Sequence, residues 1–239
     1  GLWHIDATGS LQRRGSRPLW SALKGAGVRI GDEGGWPLDV TGPEELGELH
    51  LLGASSSQEL SALWIALASR GGGIVKVSGE VPSAPYLELT KDVLGLFGAA
   101  VEETSVGFTV SPVLHGPHGV LEAEVDASAA AIALAAGCIG GVRLKVPGPK
   151  PGSTQGDWRI VEHLRLFGCV IEEENGLLIS AKGPQRGVEL DLSGEPDLGP
   201  ALVAVAAHAA ITCGERSVFS GLHTLDGKES RRGQVLCEG

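Results

Sequence analysis

The chain has 239 residues, of which 42% are hydrophobic and 20% charged, and its formal net charge is −10. This length and mixed polarity predict a globular, water-soluble protein with two compact domains. The acidic balance argues against nucleic acid as the main partner, because phosphate backbones select basic surfaces. A small anionic ligand would therefore need a local basic cluster.

No apolar run reaches the roughly 18 uncharged residues that a membrane span requires, and the longest apolar helix candidates, 129–139 and 201–212, are shorter. We therefore predict no membrane association, and the start shows no signal-peptide pattern. The cysteines form no CxxC pair and mostly have apolar neighbours, which is typical of reduced thiols in a cytoplasmic protein: Cys138, Cys169, Cys213 and Cys237. No spacing typical of a metal site is present, so we expect neither a metal nor a cofactor.

An element order recurs three times along the chain. Its first form is a short amphipathic helix ending at a glycine, followed by a strand, an acidic turn and a second strand: "LWSALKGAGVRIGDEGGWPLDV", "LTKDVLGLFGAAVEETSVGFTVS" and "VEHLRLFGCVIEEENGLLIS". The glycines Gly27, Gly98 and Gly168 are 71 and 70 residues apart. Each suits the left-handed residue that ends a helix.

A second form interleaves with the first: "SQELSALWIALASRGGGIVKVSG", "DASAAAIALAAGCIGGVRLKVPG" and "GPALVAVAAHAAITCGERSVFSG". Here a helix, a glycine and a strand precede a turn at Gly79, Gly148 or Gly221. The first helix carries one apolar stripe, made of Leu60, Leu63, Trp64 and Leu67. The other two are apolar nearly all round, which predicts buried helices. Together the two forms predict an α/β protein with about three βαβαββ units.

The best candidate boundary is "HGPHGVLEAEV" (115–125), which reads as a Gly/Pro/His loop followed by a short strand. It divides the chain into residues 1–124, with one partial and one complete repeat, and residues 125–239. A crevice between two such halves is a usual place for a ligand.

The starts of the second-form helices carry polar side chains: Ser56, Ser57 and Gln58 in one copy, Asp126 and Ser128 in the next, and Asp197 in the last. Each could be an N-cap, which is the favoured reading for Asp126 and Ser128. The surplus of polar groups at 55–58 leaves a second reading open, an anion cradle at the positive end of the helix dipole.

Two basic clusters stand out in this acidic chain. "DGKESRRG" holds Lys228, Arg231 and Arg232 beside Glu229, and "LQRRGSR" holds three further arginines. Either cluster could be a solvated turn, but two of them indicate a small polyanion as ligand. The chain has no GxxxxGK[ST] loop, GxSxG elbow or Rossmann GxGxxG, so ATP, nicotinamide and metal chemistry become less favoured.

Taken together, these residues resemble the 5-enolpyruvylshikimate-3-phosphate (EPSP) synthases of the enolpyruvyl transferase group. The matching segments follow the family order along nearly the whole chain: "SLQRRGSRPL", "SSQELSAL", "VPSAPYLELT", "VDASAAA", "STQGD", "EPDLGPALVAVAAHA" and "LHTLDGKESRRGQ". The resemblance implies an inverse α/β barrel fold of repeated βαβαββ units, with two domains partly present.

The resemblance also implies a reaction, transfer of the enolpyruvyl group of phosphoenolpyruvate to the 5-hydroxyl of shikimate 3-phosphate. By the family pattern, shikimate 3-phosphate contacts Ser56, Ser57, Gln58, Ser83 and Tyr86. Phosphoenolpyruvate contacts Arg14, Lys228 and Arg232. Asp197 would accept the hydroxyl proton, while Glu229 and Lys228 would handle proton transfer at the methylene carbon.

Several family segments have no counterpart in residues 1–239, namely the GSKS and GNxGT motifs and the DHR segment. The family pattern is also changed at four positions, Gly15, Thr224, Asp226 and Arg231. We therefore expect weak or absent activity for this chain alone, and a complementing chain or a second copy as partner. The alternatives are a non-catalytic binding or scaffold remnant of the same fold and, disfavoured by the SSQ and KES matches, a nucleotide-sugar acceptor.

Overall fold

The computed structural model describes residues 1–13, 15–31, 36–81, 85–117, 119–181, 183, 186–223, 225 and 232–238. The chain forms two compact units, Gly1–Leu121 and Glu122–Gly239, and passes between them once. The sequence predicts two partial domains, 1–124 and 125–239. Their correspondence to these two units stays a prediction.

The first unit opens with a small antiparallel sheet and one helix. In chain order these are β1 (Leu2–Ile5), a 3₁₀ turn (Gly9–Arg13), α1 (Arg17–Gly25), β2 (Arg29–Ile30) and β3 (Leu38–Thr41). The sheet order is β1-β3-β2, with β3 antiparallel to both neighbours.

A complete βαβαββ unit follows. It consists of β4 (Gly47–Leu52), α2 (Ser57–Ala68), β5 (Gly73–Ser78), α3 (Tyr86–Leu96), β6 (Val101–Thr104) and β7 (Gly107–Val110). The sheet order is β4-β5-β7-β6, in which only β4 and β5 run parallel. The predicted stripe of α2 is confirmed, because Leu60, Leu63, Trp64 and Leu67 are all fully buried in the core of this unit.

The second unit repeats the pattern. Its elements are α4 (Ala127–Gly140), β8 (Leu144–Pro147), a 3₁₀ turn (Gly156–Arg159), α5 (Ile160–Leu166), β9 (Val170–Glu174), β10 (Leu177–Ala181), β11 (Glu189–Asp191), a 3₁₀ turn (Pro196–Leu198), α6 (Gly199–Cys213), β12 (Val218–Ser220) and α7 (Arg232–Glu238). Strands β8, β10 and β9 form an antiparallel sheet, while β11 pairs parallel with β12.

The predicted repetition is confirmed in both topology and backbone. Three strand–helix–strand–strand segments share one sheet order: β1-β3-β2, β5-β7-β6 and β8-β10-β9. The helix-ending glycines Gly27, Gly98 and Gly168 have φ values of 87°, 76° and 86°. This left-handed conformation is the one that glycine adopts without steric cost.

The prediction of a short strand after the Gly/Pro/His loop is wrong, because residues 119–126 form no strand. Their polar groups bond to a loop instead: Gln155 Nε2 donates to the Val125 carbonyl (2.9 Å), and the Lys150 N–H donates to the Glu124 carboxylate (3.1 Å). Burial acts to raise the pKa of Glu124, but hydrogen bonds from Ser153, Gln155 and this N–H outweigh burial and lower it. The alternating pattern of "VLEAEV" thus lacks a ladder partner.

The prediction that the second and third apolar helices are buried holds for one face of each helix and is wrong for the other. Ile132 of α4 is 62% exposed and Ile211 of α6 is 84% exposed. The two helices still contact each other in the core of the second unit, where Leu134, Leu202 and Val205 are fully buried. Each helix therefore has one buried face.

Helix α6 is longer than the predicted 201–212. With the preceding 3₁₀ turn it makes an 18-residue segment, Pro196–Cys213, of mean hydropathy 1.3, long and apolar enough by length and composition to cross a membrane. The segment includes the charged Asp197, so it does not contradict the expectation that no run of about 18 uncharged apolar residues is present. The segment is 39% buried inside the protein, and one such helix is weak evidence because core helices pass the same test.

Candidate functional site

The start of α2 holds the first group of predicted site residues. Ser56 is the N-cap, and its Oγ accepts the Gln58 N–H at 3.2 Å. Ser57 is buried and Gln58 is exposed. Within the part of the chain that the structure describes, neither the Ser57 hydroxyl nor the Gln58 amide group makes a side-chain hydrogen bond. One serine therefore caps the helix, and of the two polar side chains beside it only that of Gln58 is exposed.

Glu59 is a residue of this helix start that the sequence interpretation missed. Its side chain is buried, and its carboxylate accepts hydrogen bonds from the Ser55 N–H (2.7 Å), the Ser55 Oγ (2.8 Å) and the Ser16 Oγ (2.5 Å). The pattern S-x-x-E from Ser56 to Glu59 is the capping-box signal that could have found it. Glu59 thereby links the residue before α1 to the start of α2, and it accounts for the surplus hydroxyl of Ser55.

The other predicted residues of this unit lie at the start of α3 or outside the described residues. Tyr86 is the first residue of α3 and is half-buried. Helices α2 and α3 pack together, and the Ser61 and Thr90 hydroxyls lie 2.8 Å apart across their contact. Ser83 and Arg14 lie outside the described residues.

In the second unit, the N-cap reading is confirmed for Asp126 and is wrong for Ser128, which lies inside α4. The Asp126 carboxylate accepts the N–H groups of Ser128 (2.9 Å) and Ala129 (3.1 Å), which lie in the first turn of α4. The Ser128 hydroxyl donates to Asp157, a buried side chain of the 3₁₀ turn before α5. Both polar residues at the start of α4 are thus held by the protein itself.

Asp197 and Arg232 are brought together by the structure. Asp197 lies in the 3₁₀ turn before α6, and Arg232 is the first residue of α7. The Arg232 Nη1 donates to the Asp197 Oδ1 at 3.2 Å, and the side chains are 32% and 24% exposed. This pair joins residues 35 positions apart, the first a predicted base and the second a predicted phosphoenolpyruvate contact. Lys228 and Glu229 lie outside the described residues.

Glu195 is a second residue that the sequence interpretation missed. Its side chain is only 3% exposed, and its Oε1 lies 2.8 Å from the Arg159 Nη1 and 2.9 Å from the His163 Nε2. A glutamate directly before the Pro-Asp pair of "EPDLGP" was the available signal. A buried carboxylate requires such partners because desolvating an unpaired charge is costly.

Three buried acidic side chains lie near the starts of the second-form helices, at different positions of the repeat. Glu59 lies at the start of α2, Asp157 contacts the start of α4, and Glu195 precedes the turn into α6. They are the only fully buried acidic side chains among the described residues. A buried carboxylate therefore lies close to each of the three polar helix starts found in the sequence.

Comparison with solved structures places this architecture in a fold class. An EPSP synthase from Acinetobacter baumannii superposes with a TM-score of 0.70 at 22% identity, over the whole of this chain and 55% of that one. The enolpyruvyl transferase NikO from Streptomyces tendae gives a TM-score of 0.58 at 16% identity, over 87% of this chain and 51% of that one. The chain therefore has the predicted inverse α/β fold of enolpyruvyl transferases.

Sequence comparison narrows the class to a family. The family model for EPSP synthase (3-phosphoshikimate 1-carboxyvinyltransferase) matches residues 5–238, so the chain belongs to the EPSP synthase family. It is 37% identical over 227 residues to the 3-phosphoshikimate 1-carboxyvinyltransferase of Aeropyrum pernix. That match covers 93% of this chain and 51% of the relative. The chain thus spans about half the length of the curated relatives it matches.

Proposed function

We propose that this chain acts in enolpyruvyl transfer from phosphoenolpyruvate to shikimate 3-phosphate, a step of the shikimate pathway to aromatic amino acids. The observation that carries the proposal is the contact between Asp197 and Arg232, which pairs the assigned base with an assigned phosphoenolpyruvate ligand. Membership of the EPSP synthase family supports the same chemistry. No cofactor takes part in the proposed reaction, and we expect it to take place in the cytoplasm.

We assign shikimate 3-phosphate to the first unit. The Ser57 hydroxyl and the exposed Gln58 amide at the start of α2 suit its phosphate and ring hydroxyls, because both can donate hydrogen bonds to an anion. Ser56 joins them by the family pattern, although its Oγ already accepts the Gln58 N–H. Tyr86 and Ser83 complete the assigned set.

The reaction is an addition followed by an elimination. The 5-hydroxyl oxygen forms a bond to C2 of phosphoenolpyruvate while Asp197 takes its proton, and Lys228 with Glu229 delivers a proton to the C3 methylene. Loss of a C3 proton and of inorganic phosphate then restores the double bond. Arg14, Lys228 and Arg232 would stabilise the carboxylate and phosphate charges of the tetrahedral intermediate.

We further propose that residues 1–239 by themselves bind shikimate 3-phosphate but catalyse its conversion weakly or not at all. The family segments GSKS, GNxGT and DHR, which serve the phosphoenolpyruvate side, have no counterpart among these residues. A second copy or a complementing chain is the proposed source of those groups.

One observation favours a second candidate, a non-catalytic remnant of the fold. The buried Glu59 carboxylate lies one turn into α2, where the positive end of the helix dipole would otherwise favour a ligand anion. A second negative charge there repels a phosphate, so the hydrogen bonds assigned to Ser57 and Gln58 must outweigh the repulsion by Glu59 for binding to occur.

Calorimetric titration separates these functions. Shikimate 3-phosphate is titrated into the chain with and without phosphoenolpyruvate, and phosphate release is followed in parallel. Binding of both ligands supports an enzyme, binding of shikimate 3-phosphate alone supports the ligand-binding half, and binding of neither supports the remnant. Turnover at about 10 s⁻¹, ordinary for an enzyme, would contradict the proposed weak activity of this chain.

Two substitutions with matched controls test the assigned residues. Gln58→Ala should weaken shikimate 3-phosphate binding about tenfold, the effect of one hydrogen bond to a charged group, while Ser69→Ala at the other end of α2 should not. Asp197→Asn should abolish any phosphate release, while Asp92→Asn on α3 should leave it unchanged. Equal effects of a variant and its control would refute the residue assignment.

A further inference from the structure

The buried ionic cluster around Glu195 has no assigned role in the proposed reaction. The Arg159 Nη1 lies within hydrogen-bond distance of both carboxylate oxygens, at 2.8 Å from Oε1 and 3.1 Å from Oε2. The His163 Nε2 lies 2.9 Å from Oε1, and the His163 side chain is 4% exposed. Arg159 belongs to the 3₁₀ turn before α5 and His163 to α5 itself. The Glu195 side chain therefore contacts a segment that lies more than thirty residues earlier in the sequence.

The same residue begins the turn that carries Asp197. Glu195 is the N-cap of the 3₁₀ turn Pro196–Leu198, and its carbonyl accepts the Leu198 N–H at 3.1 Å. Its own N–H donates to the Leu192 carbonyl at 3.2 Å. Only Pro196, whose φ is fixed by its ring, separates it from Asp197. The position of the Asp197 backbone thus follows that of Glu195.

The hydrogen bonding of His163 favours one orientation of its ring against the Glu195 carboxylate. Its Nε2 faces the Glu195 carboxylate and donates to it, whereas its Nδ1 is buried with no hydrogen-bond partner among the described residues. If the ring turned over, the Cε1–H group would take the place of Nε2 beside the carboxylate and the buried Nε2–H would be left unpaired, at a cost of about 1–3 kcal/mol. One arrangement of Glu195 and His163 is therefore favoured.

We propose that Glu195 is a positioning residue, which through Arg159 and His163 holds the 195–198 turn so that Asp197 meets Arg232. The role assigned to Asp197 rests on the proposed function, whereas the fixing of the turn does not. Moving the Glu195 carboxylate away from these two charge-assisted contacts would leave a buried charge unpaired, which is costly. Asp197 is in contrast partly exposed, and its carboxylate pairs with Arg232.

The first measurement needs no substrate. Glu195→Gln keeps the shape of the side chain but removes its charge, and Glu189→Gln is the matched control on the exposed face of β11. Amide hydrogen exchange at Leu198, whose N–H bonds to the Glu195 carbonyl, should become at least tenfold faster in Glu195→Gln. Exchange in the interior of α6, at Val205 and Ala209, should change much less.

Where the wild-type chain binds phosphoenolpyruvate, the second measurement is a double-mutant cycle on phosphoenolpyruvate affinity, in the presence of shikimate 3-phosphate. Glu195→Gln should weaken binding about tenfold in the wild-type background and hardly at all in Asp197→Asn, because a positioning residue acts through Asp197. An equal loss in both backgrounds would show a general effect on stability and overturn the proposal.

Two further outcomes are decisive. If Glu195→Gln does not fold, Arg159→Ala removes one anchor at a side chain that is 55% exposed, and it should speed Leu198 exchange in the same local manner. If the wild-type chain binds neither substrate, the proposed function fails while local Leu198 exchange still supports the positioning of the turn. Unchanged Leu198 exchange, or equal acceleration throughout α6, refutes the positioning role whatever the substrates do.

Discussion

At the scale of single residues, Asp126 shows that a polar helix start need not be a ligand site. Both N–H groups that an anion would use in the first turn of α4 already donate to its carboxylate. Asp126→Ala should therefore destabilise the protein by about 1 kcal/mol, while Asp126→Asn should lose only part of that. Urea denaturation of the three proteins measures the difference. A loss in Asp126→Asn as large as in Asp126→Ala would show that charge, and not capping, carries the effect.

Glu172 on β9 gives a residue-scale prediction about acid stability. It forms a two-pronged pair with Arg143, with Nη2 to Oε2 at 2.6 Å and Nη1 to Oε1 at 3.3 Å. The hydrogen bonds and charge of Arg143 lower the pKa of Glu172 from its ordinary 4.5. Because the folded state holds the ionised form, this contribution is complete above pH 4.5 and disappears as pH falls through the lowered pKa.

Glu172→Gln should consequently be less stable than the wild type at pH 7 and equally stable in strong acid. Both side chains are about half exposed, so the difference should be small and should shrink when salt is added. Chemical denaturation at several pH values tests this. A difference between the two proteins that persists below the lowered pKa would contradict the assigned cause.

At the scale of elements, α4 lies so close to β10 that a glycine is required. A Cβ on Gly137 would overlap the Ser180 Oγ, and both residues are buried. Gly137→Ala should thus cost about 1–3 kcal/mol through overpacking, although alanine is the better helix former. Gly140→Ala, an exposed position in the same helix with only ordinary contacts, should be neutral or stabilising by up to about 1 kcal/mol.

The same pair of elements supplies a rescue experiment. Ser180→Ala removes the hydroxyl that a Cβ on Gly137 would meet, so the double variant Gly137→Ala/Ser180→Ala should recover part of the lost stability. Thermal unfolding of the single and double variants measures this recovery. Strictly additive losses would show that the clash with Ser180 is not the cause.

Comparing elements shows which features the sequence alone could predict. The helix ends at Gly27, Gly98 and Gly168 were predictable because a left-handed residue is a local requirement. The αβ repeat and the stripe of α2 followed from periodicity, which is also local. The exposed faces of α4 and α6 were not predictable, since both helices are apolar on all sides and only packing decides which side is buried.

The residues of the candidate site also differ in whether the sequence alone could predict them. The resemblance to the family indicated Asp197 and Arg232, and the structure brings them into contact. Glu59 and Glu195 were missed because burial of an acid depends on partners that are distant in sequence, and Ser16 and His163 lie 43 and 32 residues away. The strand expected in 119–125 was wrong because alternation predicts a strand only where a neighbouring strand is available.

At the scale of the whole molecule, the described residues assigned to substrate binding and catalysis are unevenly distributed between the two units. Every residue assigned to shikimate 3-phosphate falls within Gly1–Leu121, whereas Asp197 and Arg232 fall within Glu122–Gly239. A ligand stabilises the part of a protein that binds it, by about 2.7 kcal/mol at 100 times its dissociation constant. Shikimate 3-phosphate alone should therefore slow amide hydrogen exchange in the first unit by up to about 100-fold, and leave the second unit nearly unchanged.

Hydrogen exchange followed by mass spectrometry tests this division peptide by peptide. Protection should centre on the start of α2 around Ser57 and Gln58, and it should fall about tenfold in Gln58→Ala while the exchange of the free protein stays the same. Inorganic phosphate at the same concentration is the matched ligand control, because it offers the charge without the ring hydroxyls. Equal protection by phosphate would reduce the site to an anion cradle, and equal protection of Glu122–Gly239 would contradict the assignment of shikimate 3-phosphate to the first unit.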